Sequence, residues 1–226
     1  MTYFDFILIS SGFMLSIGLM FLYKKMSIQY SILANINHRT LHKFPLPRGG
    51  GIVFSLLFVS SIFLLFVRKE LSLELFWVLG VGAFGASLTG FIDDIKSLRA
   101  TIKLIIQILL SVWVLYWLNG FGLFVFDLLP NFIVILVIGF FLVFLMNAYN
   151  FMDGIDGMAA SGAIFFSITL ALVLITKENY QTALIFLILA STVGGFLFFN
   201  WPPASIFMGD AGSLFLGYTF GSLFLY

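Results

Sequence analysis

Cysteine is absent from the chain, which rules out disulfides and thiolate metal sites and leaves the redox compartment unreadable. Charge is scarce as well. Only 9% of residues are Asp, Glu, Lys or Arg, the formal net charge is +1, and there are two histidines, His38 and His42. The net charge by itself says nothing about nucleic acid, and no such partner is expected. There is no polar stretch of domain length, no long linker, no low-complexity tract and no repeat at solenoid period. What remains is apolar: 62% hydrophobic residues, with 30 phenylalanines, against about 45–50% apolar in soluble domains.

Runs of this kind read as transmembrane helices, each needing about 20 residues to cross the hydrocarbon. The pattern predicts an all-α, polytopic helical bundle forming a single membrane domain over 1–226, with about eight spans. They are expected near Phe4–Tyr23, Gly50–Val67, Leu75–Ile92, Ile102–Leu118, Phe132–Tyr149, Met158–Thr176, Thr182–Phe199 and from Ser213 to Tyr226, the last one short. The abundant Phe, Leu and Ile are read as lipid-facing and helix-packing material rather than a cofactor box.

Alternate loops differ in charge. One set (24–49, 93–101, 150–157, 200–212), with Lys103 at its border, holds Lys24, Lys25, Arg39, Lys43, Arg48, Lys96, Arg99 and Lys103. The other holds Arg68, Lys69 and Lys177. The positive-inside rule puts the first set in the cytoplasm and the N-terminus outside. The first apolar segment lacks a basic leader and an A-x-A-like exit, so it is read as an N-out helix rather than a cleaved signal.

Three acidic clusters then fall on that same cytoplasmic face: FIDDIKS (Asp93, Asp94), NFMDGIDG (Asp153, Asp156) and FMGDAGS (Asp210). Ionised groups at membrane depth are expensive and usually serve chemistry. Adjacent Asp93 and Asp94 repel each other unless a divalent ion or a nearby Lys or Arg neutralises them; the alternative is a solvated helix end at the membrane border. In NAYNFMDGIDG, Asn147, Asn150, Asp153 and Asp156 recur every third residue, a slanted stripe on a helix. Their oxygens suit a hard cation such as Mg²⁺, or the ribose and base edges of a nucleotide; the alternative is a polar turn, DG being a common turn dipeptide. In NWPPASIFMGDAGS, Phe207 is placed to stack on a nucleobase beside Asp210, which otherwise would merely cap a helix start.

The stretch NHRTLHKFPLPRGGG carries Arg39, Lys43 and Arg48 with no acid. Gly49, Gly50 and Gly51 are expected to open the second span with free backbone N–H groups, a start that favours phosphate. Attraction to anionic headgroups is the alternative. The histidines are read as surface residues, not metal ligands. An acidic set for metal and a basic set for phosphate on one membrane face point to phosphoryl transfer.

NHRTLHKFPLPRGGG, FIDDIKS, NAYNFMDGIDG and NWPPASIFMGDAGS, in that order between apolar spans, resemble the polyprenyl-phosphate N-acetylhexosamine-1-phosphate transferases, glycosyltransferase family 4. The likeness spans essentially the whole chain. The RTLHKFPLPRGGG and NWPPASIFMGDAGS forms look nearest to the bacterial O-antigen branch, whose donors are often UDP-linked 6-deoxy N-acetylamino sugars. The resemblance implies that undecaprenyl phosphate attacks the β-phosphorus of a UDP-N-acetylamino sugar. The products are a sugar-diphospho-undecaprenol and UMP, with Mg²⁺ (or Mn²⁺) required, as a first membrane step of O-antigen or cell-wall polymer synthesis. It implies Asp210 and Asn150 at the metal, Asp153 and Asp156 at nucleotide or metal, and Phe207 at the uracil. Asp93 or Asp94 is implied as the base at the lipid phosphate, Lys43 and Arg48 at phosphates, and Asn147 in the same polar stripe. It places the protein in a bacterial inner membrane, active site cytoplasmic, with a homodimer among the arrangements it allows.

Members of that family are longer, with further spans and a His-rich cytoplasmic loop near the C-terminus, which this sequence does not contain. A chain lacking the last spans is expected to have little activity alone, as an inactive truncated fragment would. Two rivals differ in chemistry. An aspartate-rich membrane prenyltransferase would carry N-D-x-x-D or D-x-x-x-D sets and release pyrophosphate. A transporter would carry its ionisable groups at mid-span.

Overall fold

The computed structural model describes residues 2–33, 45–118 and 131–226. Among them there are eight helical rods: α1 (Tyr3–Gln29), α2 (Gly51–Val67), α3 (Leu73–Lys96), α4 (Ala100–Trp117), α5 (Asn131–Met152), α6 (Met158–Thr176), α7 (Tyr180–Asn200) and α8 (Gly209–Leu225). Among the described residues the only β pairing is an isolated bridge, Leu33 to Pro47. Six rods are long and apolar enough to cross a membrane, the architecture of a polytopic helical membrane protein.

The other two, α2 and α8, have 17 residues each, roughly 25 Å of helix against a hydrocarbon core of about 30 Å. α8 is largely buried within the bundle, and α2 buries about half of its residues there. α8 is packed by α2, α3 and α5, and α7 by α1, α2 and α6. Phe54 and Phe58 of α2 meet Phe215 of α8 edge-on at centroid distances of 5.8 and 5.4 Å. Small and hydroxylic residues let the rods approach, as in other membrane bundles: Ser55 and Ser87 share a hydrogen bond of 2.5 Å, and Ser16 donates to the carbonyl of Thr192 at 2.7 Å.

Local chemistry sets the ends. A capping box between Thr2 and Asp5 opens α1, and Asn179 accepts from the N–H of Thr182 to open α7. Within α3, Phe76–Gly82 widens into a π-helical turn. There the carbonyl of Trp77 accepts from the Trp113 indole at 3.0 Å, and that of Val78 from the Tyr218 hydroxyl at 3.2 Å. α1 extends to Gln29, beyond the expected limit at Tyr23, carrying Lys24 and Lys25 on helix. α8 starts at Gly209 rather than Ser213, which puts Asp210 in its first turn.

The bundle has two chemically different ends. At one, Thr2, Asp5, Lys69, Glu70, Tyr180 and Gln181 line a shallow cavity. At the other, the three acidic clusters come together around the start of α8.

Candidate active site

A helix begins with backbone N–H groups that no residue of its own can satisfy. In α8 these are taken by acids from elsewhere in the chain. The N–H of Gly209 donates to Asp153 Oδ2 at 3.0 Å, that of Asp210 to Asp94 Oδ1 at 2.9 Å, and that of Ala211 to Asp94 Oδ2 at 3.1 Å. The positive end of the helix dipole favours such carboxylates. Asp210 therefore does not cap its own helix, and its side chain is available for other partners.

Those partners are cations and an amide. Arg48 spans two acids, with Nε 2.8 Å from Asp94 Oδ1 and Nη2 2.8 Å from Asp210 Oδ1. Lys103 does the same from α4, with Nζ 2.8 Å from Asp93 Oδ2 and 3.2 Å from Asp210 Oδ2. Asn150 Nδ2 lies 3.0 Å from Asp210 Oδ1 and 3.1 Å from Ser213 Oγ. Asp93 also accepts from the N–H of Leu98 at 2.6 Å. The adjacent pair thus does not act as a pair. Each acid has its own cation, and Asp94 is largely committed to holding α8.

The lesser ties are structural. The Asp156 carboxylate accepts from the N–H of Ala204 at 2.9 Å, which fixes the 200–208 segment against the 153–157 turn. Asn200, which the sequence reading passed over, accepts from the N–H of Gly157 at 3.0 Å and donates to the carbonyl of Ile206 at 3.0 Å. Its only sequence signal is a polar residue closing an apolar run before Pro202. Asn147 points away from Asp210. Its Nδ2 donates to Gln107 Oε1 at 2.9 Å, pairing α5 with α4, so the four-residue stripe is split among α4, the start of α8 and the 200–208 segment. Lys43, His38, His42 and Arg39 lie outside the described residues.

The glycine segment corrects an expectation. The N–H groups of Gly50 and Gly51 are not free for phosphate: they donate to the carbonyls of Phe207 and Met208 at 3.0 and 2.8 Å. Phe207 in turn donates its N–H to Pro47 at 2.8 Å, and Arg48 donates its own to Ile32 at 3.1 Å. Segments around 32, 47 and 207 so form one hydrogen-bonded layer. It walls a cavity of about 580 Å³ with Tyr30, Ser31, Arg48, Asp94, Ser97, Asp153 and Phe207 in its lining, a volume within the usual range for small-molecule sites. Phe207 is half-buried there rather than exposed.

Electrostatics follow from this crowding. Burial works against the charge of Arg48, yet Asp94, Asp210, Asp93 and Asp153 outweigh it and hold the guanidinium more firmly protonated than usual. Burial pushes the Asp153 carboxyl well above the ordinary carboxylate range, with Asp94 and Asp210 adding to the rise against the Gly209 N–H and Arg48.

Among the described residues no three acids or histidines already form a metal cage, and the carboxylates are engaged by Arg48 and Lys103. The donor set nonetheless fits a hard divalent cation. It is all oxygen, and four carboxylates against two cations leave two negative charges when all are ionised. Asp210 and Asn150, with its amide turned to present Oδ1, would hold the ion.

Replacing Lys103 by methionine tests this balance. It leaves Asp93 and Asp210 without their shared cation, and because Lys103 is partly exposed the expected loss is moderate, about 1–3 kcal/mol. The melting temperature in detergent should fall, and Mn²⁺ should restore more of it than it adds to the wild type. Equal Mn²⁺ stabilisation of both would contradict the charge assignment.

Comparison with known proteins places the chain as a whole. The sequence model of "Glycosyl transferase family 4" matches residues 76–226. A probable undecaprenyl-phosphate N-acetylglucosaminyl 1-phosphate transferase of Bacillus subtilis (strain 168) is 30% identical over 210 residues, covering 89% of this chain and 57% of its own length. Phospho-N-acetylmuramoyl-pentapeptide-transferases of Clostridium beijerinckii and Petrotoga mobilis are 35% and 34% identical, covering 79% and 80% of this chain and 59% and 60% of their own. The chain thus spans somewhat under two thirds of the length of the relatives it matches.

Proposed function

Because the chain belongs to glycosyl transferase family 4, we propose that it transfers an N-acetylamino sugar 1-phosphate from a UDP-sugar to undecaprenyl phosphate. The observation that carries this reading is the meeting of Asp93, Asp94, Asp153, Asp210, Arg48 and Lys103 at the start of α8, beside a cavity with an aromatic wall. The lipid phosphate oxygen bonds to the β-phosphorus, the bond from that phosphorus to the oxygen of the α-phosphate breaks, and UMP leaves with the electron pair.

Most of the work in such a transfer is positioning and charge neutralisation. Arg48 and Lys103 supply fixed positive charge to phosphate oxygens. Phe207 packs on the base, and Asp153 sits at the nucleotide end. Asp156 positions the Phe207 segment through Ala204. Asp94 is held by two backbone N–H groups and Arg48 and Asp93 by Lys103 and the Leu98 N–H, and one of the two, Asp93 or Asp94, is the candidate base for the lipid phosphate. Mg²⁺ held at Asp210 and Asn150 would neutralise diphosphate charge. The excess of Lys and Arg in the loops at this end favours the cytoplasmic face of a bacterial inner membrane; the motif resemblance supports an O-antigen or cell-wall glycan as the destination.

Binding of UMP and UDP-GlcNAc to the purified protein, followed by labelled UMP release with undecaprenyl phosphate present, tests the reading. Saturable nucleotide binding that needs Mg²⁺ is expected, with turnover by this chain alone low and UMP as its product. Pyrophosphate release would favour prenyl transfer, and absence of nucleotide binding would overturn the assignment.

A further inference from the structure

Among the described residues four non-glycine residues have left-handed backbone: Ser31 (φ 56°), Lys69 (φ 61°), Ser97 (φ 47°) and Glu178 (φ 60°). Ser31 and Ser97 line the same cavity. Each stands where a helix stops, Ser31 just after α1 and Ser97 at the end of α3. Glycine takes that conformation without steric strain and is the usual residue there. Serine is the costlier choice for the backbone, and what it adds is a hydroxyl. Strained backbone of this kind collects at functional sites.

Both positions are held firmly. The carbonyl of Ile32, next to Ser31, accepts from Ser27 Oγ at 2.6 Å and from the N–H of Arg48 at 3.1 Å, while the Tyr23 hydroxyl donates to the carbonyl of Arg48 at 2.8 Å. The N–H of Ser97 donates to the carbonyl of Asp93 at 2.9 Å. Both serines are exposed to the cavity side, and Tyr30, also exposed, adds an aromatic face beside them. The layer of segments sets Pro47 and Arg48 between this turn and Phe207. A nucleotide whose base lies on Phe207 and whose phosphates lie at Arg48 therefore extends its far end toward Tyr30 and Ser31.

We propose that Ser31 and Ser97, with Tyr30, form the wall that recognises the sugar of the nucleotide-sugar donor. Two fixed hydroxyls and an aromatic ring suit a hydroxyl- and acetamido-bearing ring, and a site built to hydrogen-bond such groups discriminates against ligands that lack them. The inference rests on the transferase reading above.

Ser31→Gly and Ser97→Gly remove the hydroxyls while giving the backbone the residue it accommodates best, so folding survives the test. Titration of the purified full chain with UDP and with UDP-GlcNAc should show UDP-GlcNAc affinity lowered about three- to tenfold in each variant, the range of one lost hydrogen bond. UDP affinity should stay within about twofold, which is negligible on the same scale, and the melting temperature should hold or rise. Equal loss for both ligands, no loss for either, or UDP-GlcNAc binding the wild type no more tightly than UDP would overturn the proposal. A fall in melting temperature would overturn its backbone argument. A wild-type chain that binds no UDP at all would instead sink the transferase reading.

Discussion

Asp210→Asn, placed in a version of the protein that carries the family's remaining spans, is expected to remove most transferase activity, a fall on the order of 10²–10³-fold in kcat, the scale seen when a fixed electrostatic element is taken from a phosphate or acyl site. Asparagine matches aspartate in shape, so packing of α8 is preserved and the change isolates charge. Asp210 is the junction of the site: Arg48, Lys103 and Asn150 all converge on its two oxygens at 2.8, 3.2 and 3.0 Å. Neutralising it leaves two cations facing three acids in place of four. The remaining set then holds a divalent ion less well, and the Asn150 amide loses its charged partner. Mn²⁺ titration followed by electron paramagnetic resonance should show at least about tenfold weaker binding, as loss of one carboxylate ligand from a hard-cation site implies. Glu74→Gln, exposed at the other end of α3, should change neither quantity. Wild-type Mn²⁺ affinity in Asp210→Asn would remove the metal from this residue.

The same junction shows where sequence reasoning ends. Asp93, Asp94, Asp153, Asp210 and Arg48 stand out because charge is rare in an apolar chain and each lies at a span border. That an adjacent Asp pair needs a cation also follows from Coulomb's law. Which cation it takes does not. Lys96, Arg99 and Lys103 all follow the pair, and only the reversal at Ser97 brings Lys103 back from α4 onto Asp93. Lys103 sits inside an apolar helix and carries the stronger signal of the three, that of an ionised group at membrane depth. The glycine run misled for a related reason. A helix start with Gly-Gly-Gly does expose N–H groups locally, but the carbonyls of Phe207 and Met208 arrive from the far end of the chain to take them. Eight apolar runs were legible from composition and length. The exchange of caps, in which α3 and the 153–157 turn satisfy the start of α8, depends on packing that no local pattern encodes.

That packing makes Gly90→Ala a disruptive change at the site, although it adds a single methyl group. On helix propensity alone the change should stabilise, since alanine is favoured over glycine by about 1 kcal/mol in a helix interior. The fold reverses the sign. A Cβ at Gly90 falls onto the carbonyl of Asp210 and the N–H of Ala211, and backbone on both sides cannot turn away as a side chain can. Overpacking of this kind costs about 1–3 kcal/mol and sometimes more, so the balance is net destabilisation. Relief requires α8 to move away from α3, which lengthens the bonds from Asp94 to the N–H groups of Asp210 and Ala211 and draws Asp210 off Lys103 and Arg48. A drop in melting temperature of several degrees and weaker Mn²⁺ binding should therefore appear together, as about 1–2 kcal/mol predicts for a domain of this size. Gly85→Ala is the control. It lies on the same helix, its Cβ would meet only Leu110 Cδ2 at 3.4 Å, and propensity should prevail there, leaving stability unchanged or slightly raised. If Gly90→Ala instead behaved like Gly85→Ala, the close seating of α8 on α3, and with it the placement of Asp210 among its cations, would be wrong.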